Sequence, residues 1–448
     1  MCVSSFLYIP MPFVDPASRL PSHDMGSFCR FPTGSRAGHL SMVNMVPLLF
    51  TGRSSFAADF LGLSLRLYQQ MHSSIGLLAS LQALAHVLVV LHQRNFRLED
   101  SIQFYGFVSI LFLGCTVLVS ILRAWIFEVY IKAHYLSALA TAAMLFYHLW
   151  LQRLFSRFLM LIGLSVLLAS TIFRFCFYLR RADAQVTMKG SISRIIIHPK
   201  KPFRLRAGQY VYIWMHCGSN WSFHPFMMAW QEAGSDGKAT QITLLARRRA
   251  GFTLKLHEHM HSNTVRTWIE GPYGRPPRIQ GYDRVLMICT GVGIVAHIPY
   301  IKEFLDCYKR WKVPGRKIFL AWEVHERAQL DWVRDLMDEL LKQDQDGYIL
   351  RIALYLVYSQ RKKRKPRGEH DRIWELPGFI NTERVVTRQF LQSKDRLLVT
   401  VSANDRIRDG VRELIKSKMQ TDIRMIDLDF QPWEESKLEQ STPLSTAV

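Results

Sequence analysis

The chain has little cysteine to build with. Seven cysteines in 448 residues, none in a Cys-x-x-Cys pair, exclude a disulfide scaffold. It also lacks a recognisable secretory leader. Residues 1–35 are rich in Pro and Ser, and the apolar run Phe6–Val14 is short and has no basic residue before it. The expectation is insertion without a leader, or a natural start upstream of Met1. Acidic residues are scarce too, 36 Asp+Glu against 57 Lys+Arg, for a formal net charge of +21. A full three-glycine dinucleotide fingerprint is missing. What the chain does have in quantity is apolar sequence, 49% of its residues, and it is unevenly placed.

Before Arg181 there are 13 Lys+Arg and 6 Asp+Glu; from Arg181 onward there are the remaining 44 and 30. The first part carries the long uncharged runs Met71–His92, Ile102–Leu122 and Ala133–Gln152, and a fourth, Phe158–Leu179, interrupted only by Arg174. Each is long enough to cross a hydrocarbon core of about 30 Å. A weaker segment, Gly38–Phe50, reads as one more span or the end of one. A cytosolic C-terminal half makes the first and third runs parallel. The loop charges Arg123, Lys132, Arg180 and Arg181 lean weakly towards that orientation, against Arg94, Arg97, Arg153 and Arg157.

Two of the runs carry histidine pairs at one interval. His72 and His86 are fourteen residues apart, and so are His134 and His148. On a helix fourteen residues bring both side chains within about 40° of one face, roughly 21 Å apart along the axis. A single membrane histidine is more often a hydrogen-bond partner between helices. Two equal spacings on two spans favour a different use, clamping two flat metal groups one above the other. Imidazole suits iron, and ligation from both faces gives an electron-transferring haem with no vacant position. His92 breaks the pattern and is placed at the interface.

From Gln185 the texture becomes short alternating segments. Val186–Ile197, Gly208–Met215, Gln241–Leu245 and Val265–Ile269 read as strands of a small antiparallel barrel. After Tyr282 strand alternates with helix: Arg284–Cys289 then Ile294–Tyr308, Lys317–Val324 then Gln329–Lys342, Tyr348–Val357, Arg396–Ser402 then Arg406–Lys418, and Ile423–Phe430. That order predicts a doubly wound parallel sheet. Gly291 and Gly293 fall at its first strand-to-helix turn, where glycine lets the backbone approach a phosphate at a helix N-terminus.

In this order the motifs resemble those of the fungal ferric reductases, in the superfamily that includes the NADPH oxidases. The histidine quartet matches that family's haem ligands. His224-Pro225-Phe226 resembles its flavin motif, preceded by Gly208-Gln209-Tyr210-Val211-Tyr212. Gly251-Phe252-Thr253, with Lys255-Leu256, resembles the segment that holds the FAD diphosphate. Gly271-Pro272-Tyr273-Gly274 resembles the turn between flavin and nucleotide domains, Gly291–Ile294 the nucleotide loop, and Ser402-Ala403-Asn404 the nicotinamide contact. Each also has a plainer reading: barrel core for the tyrosines, an edge-strand ending for His224-Pro225, a Pro/Gly turn for Gly271–Gly274, and a solvated face for Arg247–Arg249.

The resemblance implies a haem-binding helical bundle over 38–180, an FAD-binding barrel over 181–281 and an NAD(P)-binding sheet over 282–448, after an atypical segment 1–37. It further implies electron flow from NADPH through FAD and two b-type haems to ferric chelates or siderophores outside, with Cu2+ as another acceptor. The expected setting is the plasma membrane, with the C-terminal domains cytosolic, an iron permease as partner and no nucleic acid. No residue is expected to act as an acid–base catalyst. Arg327 is the candidate for the extra phosphate of NADPH. Relatives usually carry Ser or Thr where this chain has Met227, which implies slower hydride transfer, and often Cys where it has Ser402-Ala403-Asn404. Phe430 or Trp433 is expected over the flavin. The basic run Arg361–Arg367 reads as a solvated insertion, touching acidic lipid at most. Three alternatives stay open: a superoxide-forming oxidase, disfavoured by the absence of a calcium-loop pattern before the spans; a transporter using the histidines as proton relays; and a degenerate reductase.

Overall fold

The computed structural model describes residues 33–429 apart from 51, 94–95, 153–155, 216–221, 249–251, 260–263, 278, 280–281, 283, 312–316, 346–347, 359–363, 368–370, 393–395 and 419–422. The segment up to residue 32, Arg249, Gly251, residues 361–363, Phe430 and Trp433 therefore lie outside the described residues.

Six helices come first: α1 (Thr33–Met45), α2 (Ser54–Leu61), α3 (Leu65–Gln93), α4 (Ser101–Val119), α5 (Phe127–Leu151) and α6 (Ser156–Phe177). Four of them, α3 to α6, are long and apolar enough to cross a membrane, each containing most of one uncharged run. Their leucines face outward: Leu77, Leu81, Leu84 and Leu88 on α3 and Leu136 and Leu139 on α5 are exposed. Hydrocarbon is the environment in which such surfaces are stable. The Asp100 side chain caps α4 by accepting the Ile102 N–H at 3.0 Å. The Gly38–Phe50 segment forms the end of α1 and a 3-10 turn, Val46–Leu49, where Pro47 cannot continue α-helical hydrogen bonding.

The barrel follows. Its strands are β1 (Leu179–Lys189), β2 (Ile192–Pro199), β3 (Tyr210–Met215), β4 (His224–Ala233), β5 (Ala239–Arg247) and β6 (Thr264–Tyr273), with helix α7 (Phe252–His259) before β6. They close in the order β1-β2-β5-β4-β3-β6, every neighbour antiparallel. Val186–Ile197 is not one strand. It turns back at Gly190, whose φ of 62° suits a two-residue loop. Across the turn the inward residues change from even to odd numbers, Val186 opposite Ile195 and Ala184 opposite Ile197. The all-apolar run Ile195–Ile197 hides that change of phase.

The second sheet contains β7 (Arg284–Thr290), β8 (Lys317–Val324), β9 (Leu350–Leu356), β10 (Lys365–Arg367), β11 (Ile373–Pro377), β12 (Leu397–Ser402) and β13 (Ile423–Asp427). Their order is β10-β11-β9-β8-β7-β12-β13, all parallel except β10 against β11. Helices α8 (Ile294–Trp311), α9 (Ala328–Asp331), α10 (Arg334–Gln343), α11 (Thr382–Leu391) and α12 (Asp405–Lys418) cover it. The central strands β7 and β12 are buried along nearly their whole length, as helices on both faces require. Gln329–Lys342 is two helices rather than one, because Val333 leaves helical geometry at φ −127° and ψ 10° to bury its side chain.

The chain divides into two compact bodies. One gathers α1, most of α3, α4 and most of α5; the other holds α2, the start of α3, the latter part of α6, the barrel and the sheet.

Candidate functional site: helix histidines, a flavin-facing barrel and a nucleotide loop

The histidine interval survives folding because α3 and α5 are each continuous through their pair. All four histidines are half-buried. In the helical body His86 and His148 each lie against a glycine. A Cβ on Gly38 would come within 3.0 Å of His86 Nδ1, and one on Gly106 within 2.8 Å of His148 Nδ1. His148 Nδ1 is also 2.8 Å from the Ile102 carbonyl oxygen. A carbonyl only accepts, so Nδ1 carries the proton and Nε2 keeps its lone pair. Gln152 approaches that Nε2 at 2.8 Å, and its amide N–H is the donor. His86 is close enough to act on His148 electrostatically. Both rings are cradled by glycine, and the commitment of His148 Nδ1 to a carbonyl is what orients a metal-ligating histidine, so these residues fit a haem. The described residues hold no cluster of three or more His, Cys, Asp or Glu suited to a metal ion, and axial haem ligation needs only a pair.

On the barrel, β3 and β4 pair Tyr212 with Pro225 and Val211 with Phe226. Pro225 sits where β4 has only β3 beside it, since pairing with β5 begins at Met228; its missing N–H therefore costs no ladder bond. His224 stacks on Phe252, centroids 4.2 Å apart and 12° from parallel, and Phe226 lies 6.2 Å from the same ring. Thr253 stands beside Phe252 in the first turn of α7. His224 of the flavin motif and Phe252 of the diphosphate segment, far apart in sequence, thus meet half-buried on the barrel, while Phe226 is buried in the barrel core. That surface fits a flavin nucleotide.

Tyr210 and Met227 turn the other way, into a buried cluster with Phe56 of α2 and Tyr273. Ser55 and the Tyr212 hydroxyl are 2.7 Å apart, and the Arg53 guanidinium lies 4.2 Å from the Tyr212 ring centre. Burial pushes the Tyr210 hydroxyl well above its ordinary pKa, and Tyr212 adds to the rise. At the Gly271–Gly274 turn, Gly271 and Gly274 have φ of 151° and 98°, and the Gly274 N–H donates to Asp59 Oδ2 at 2.9 Å. Arg275 also donates to the Asp59 carbonyl.

One residue there had no place in the sequence reading. Glu270, its side chain 5% exposed, accepts from Arg53 Nη2 at 2.8 Å, Arg174 Nε at 3.0 Å and the Tyr273 hydroxyl at 2.6 Å. It ties α2, the end of α6 and the barrel together. Burial alone would raise its pKa, but Arg53 and Arg174 outweigh burial and hold it below the usual carboxylate value. The only hint in sequence is a single acid in the apolar stretch Trp268–Tyr273.

In the sheet, Gly291 has φ 48° at the carboxyl end of β7. A Cβ on Gly293 would collide with the Ser402 carbonyl oxygen and sit 3.2 Å from Ser402 Oγ. Both glycines are therefore required by backbone shape and by close approach. Ser402 Oγ is buried with no hydrogen-bond partner among the described residues, a polar atom facing the loop. Asn404 is differently occupied: its Oδ1 accepts the Ile407 N–H at 3.1 Å, capping α12, and its N–H donates to Thr290 Oγ1 at 3.1 Å. Arg327 is exposed and pairs with Glu375 at 3.6 Å. The loop at the start of an eighteen-residue helix fits a nucleotide diphosphate.

Comparison with known proteins agrees with this layout. Residues 37–145 match the ferric reductase like transmembrane component, 177–277 an FAD-binding domain and 282–397 the ferric reductase NAD binding domain. The "Ferric/cupric reductase transmembrane component 7" of Saccharomyces cerevisiae is 24% identical over 359 residues, 74% of this chain and 55% of that protein. The "Probable cell surface ferric reductase kap2" of Aspergillus oryzae is 23% identical over 340 residues, 68% of this chain and 45% of that one. The "Respiratory burst oxidase homolog protein D" of Solanum tuberosum is 22% identical over 194 residues, 36% of this chain and 22% of its own length. The chain spans about half the length of the curated fungal relatives it matches. Helical, flavin and nucleotide modules succeed one another here as one ordered set, and in that set the chain is similar to the ferric reductases.

Proposed function

We propose that this chain is an NADPH-dependent ferric-chelate reductase of the plasma membrane. It moves electrons from the cytosolic side through FAD and two b-type haems to Fe3+ outside, with Cu2+ as a second acceptor, so that an iron permease imports the reduced ion. The observation that carries this is the outer histidine pair. His86 and His148 lie against Gly38 and Gly106, and the Ile102 carbonyl commits the proton of His148 to Nδ1, which leaves the Nε2 lone pair, here accepting from Gln152, as the one a metal would take. His72 and His134 would hold the inner haem.

When bound, FAD accepts a hydride and releases its electrons singly, and each haem iron carries one electron at a time. The chain's own residues bind and orient. The Gly291–Gly293 turn and the first turn of α8 receive the nucleotide diphosphate, and Ser402 Oγ offers a hydroxyl beside it. His224, Phe252 and Thr253 present an aromatic and polar surface to the flavin, Phe226 supports it from the barrel core, and Gly251 belongs to the same motif. Met227 has no hydroxyl to offer the flavin ring and packs on Phe56 instead. The arrangement needs no acid–base side chain, since electrons rather than protons cross the membrane.

The test is a reduced-minus-oxidised spectrum of the purified chain and of a His86→Leu variant, with NADPH-driven ferric reduction measured on both. Part of the b-type haem signal and nearly all ferric reduction should be lost in the variant, with NADPH-to-flavin transfer retained. Unchanged haem content would overturn the ligand assignment. Superoxide formation without ferric reduction by the native chain would make the acceptor dioxygen.

A further inference from the structure

The nucleotide-binding sheet has a second concave site that the electron path does not use. A cavity of about 400 Å³ is lined by Tyr348, Arg351, Arg364, Asp371, Arg372 and Trp374. Tyr348, Arg351, Asp371 and Arg372 stand at, or just before, the beginnings of β9 and β11. The strands from β11 to β12 are parallel, so this is the edge opposite the Gly291–Gly293 loop. The strands between are about seven residues long, or roughly 20 Å at about 3.3 Å per residue.

Three guanidiniums face one carboxylate in this lining. The Arg364 guanidinium lies 3.3 Å from the Trp374 ring centre, and that of Arg372 lies 4.6 Å from the Tyr348 centre. Stacking holds a guanidinium by its face and leaves its in-plane N–H groups for a ligand. Arg372 is further fixed by Asp344 at 3.3 Å. No acidic side chain among the described residues pairs with Arg351 or Arg364. Arg351 instead acts on another cation, Arg284. Like charges held together with too few counter-ions favour an anion.

The backbone points to the same place. Tyr348 and Asp371, with φ of 45° and 49°, are the non-glycine residues of left-handed conformation among the described residues. Both line this cavity. Tyrosine has little liking for that region, and such conformations persist where the surroundings impose them, commonly at ligand sites.

We propose that this cavity binds a phosphomonoester, carried by a soluble metabolite or by a lipid headgroup. A tetrahedral dianion offers oxygens to three guanidinium forks at once, whereas a carboxylate offers them in one plane.

The test uses the detergent-purified full chain titrated with inositol 1,4,5-trisphosphate, and the same chain in phosphatidylcholine nanodiscs with and without phosphatidylinositol 4-phosphate. The native protein should bind at least one probe saturably. Arg351→Ala with Arg364→Ala should weaken binding about tenfold or more, as loss of two charge-assisted contacts implies. Arg364→Lys, which keeps charge but not the fork, should fall between. Lys416→Ala, on α12, should bind as the native chain does. Flavin content and flavin reduction by NADPH should be the same in all four, which separates this site from the electron path. Saturation by the soluble trisphosphate assigns a metabolite; capture only on phosphoinositide nanodiscs assigns a lipid. Failure of both probes, or equal affinity in the double variant, overturns the proposal.

Discussion

Glu270→Gln is the sharpest perturbation the structure offers, because one carboxylate serves three donors on three elements. Its side chain is 5% exposed, and its partners Arg53 and Arg174 are 20% and 13% exposed. Hydrogen bonds to charged groups contribute about 1.5–3 kcal/mol each. Both guanidiniums keep some water, so the lower figure applies, and losing two such bonds costs about 3 kcal/mol. For a domain of this size that lowers the apparent melting temperature by about 6–12 °C. Flavin release, followed by fluorescence on heating the detergent-solubilised full chain, reads it directly. A cycle with Arg53→Ala should show coupling of about 1 kcal/mol or more. The pH dependence has a definite sign. Glu270 is depressed in the folded state, so its contribution is complete above the unfolded carboxyl value, about 4.3. It is lost as pH falls through the lower folded value. Native and variant proteins should therefore differ at pH 7 and converge in acid. A variant melting within about 1 °C of the native chain at pH 7, with no coupling to Arg53, would refute the reasoning.

Three further outcomes follow from single positions. Gly106→Val would press a side chain onto the His148 ring, since even a Cβ lies 2.8 Å away; outer-haem absorbance should fall while flavin content holds. Gly293→Ala collides with the Ser402 backbone, so NADPH should reduce the flavin at least about tenfold more slowly, with ferric reduction falling in proportion and dithionite-reduced haem spectra unchanged. His297, buried under the nucleotide loop, has its pKa lowered to about 4 by burial. The unfolded chain binds the proton first, so stability falls from about pH 6.5 to pH 4 by roughly 3 kcal/mol. His297→Leu should abolish that slope in denaturant midpoints measured across the same range.

Much of the fold was legible because its signals are local. Uncharged runs of about twenty residues and a strand–helix rhythm each depend on neighbours in sequence, and they located α3 to α6 and most of the sheet. Where two signals overlap, the sequence misleads. The Gly190 turn lies beside an all-apolar run that conceals the reversal. Helix α2 is short, and nothing in residues 54–61 demands a partner until Phe56 is seen packed on Tyr210 and Tyr273. The site divides in the same way. His224 and Phe252 were named from separate motifs, but the 4.2 Å stack that joins them belongs to the folded barrel. Asn404 was named as a nicotinamide contact, and the structure gives its side chain the work of capping α12.

The sequence by itself determined which segments are apolar enough for a membrane, the fourteen-residue histidine interval and the order of the modules, because each is a property of spacing along the chain. Only the tertiary structure decided what lies beside those residues. The glycines against His86 and His148, the Ile102 carbonyl that sets the His148 tautomer, and the arginines that keep Glu270 ionised all come from distant positions. Neutralising a buried charge or orienting an imidazole takes contact in space, and the chain supplies that contact only once it has folded.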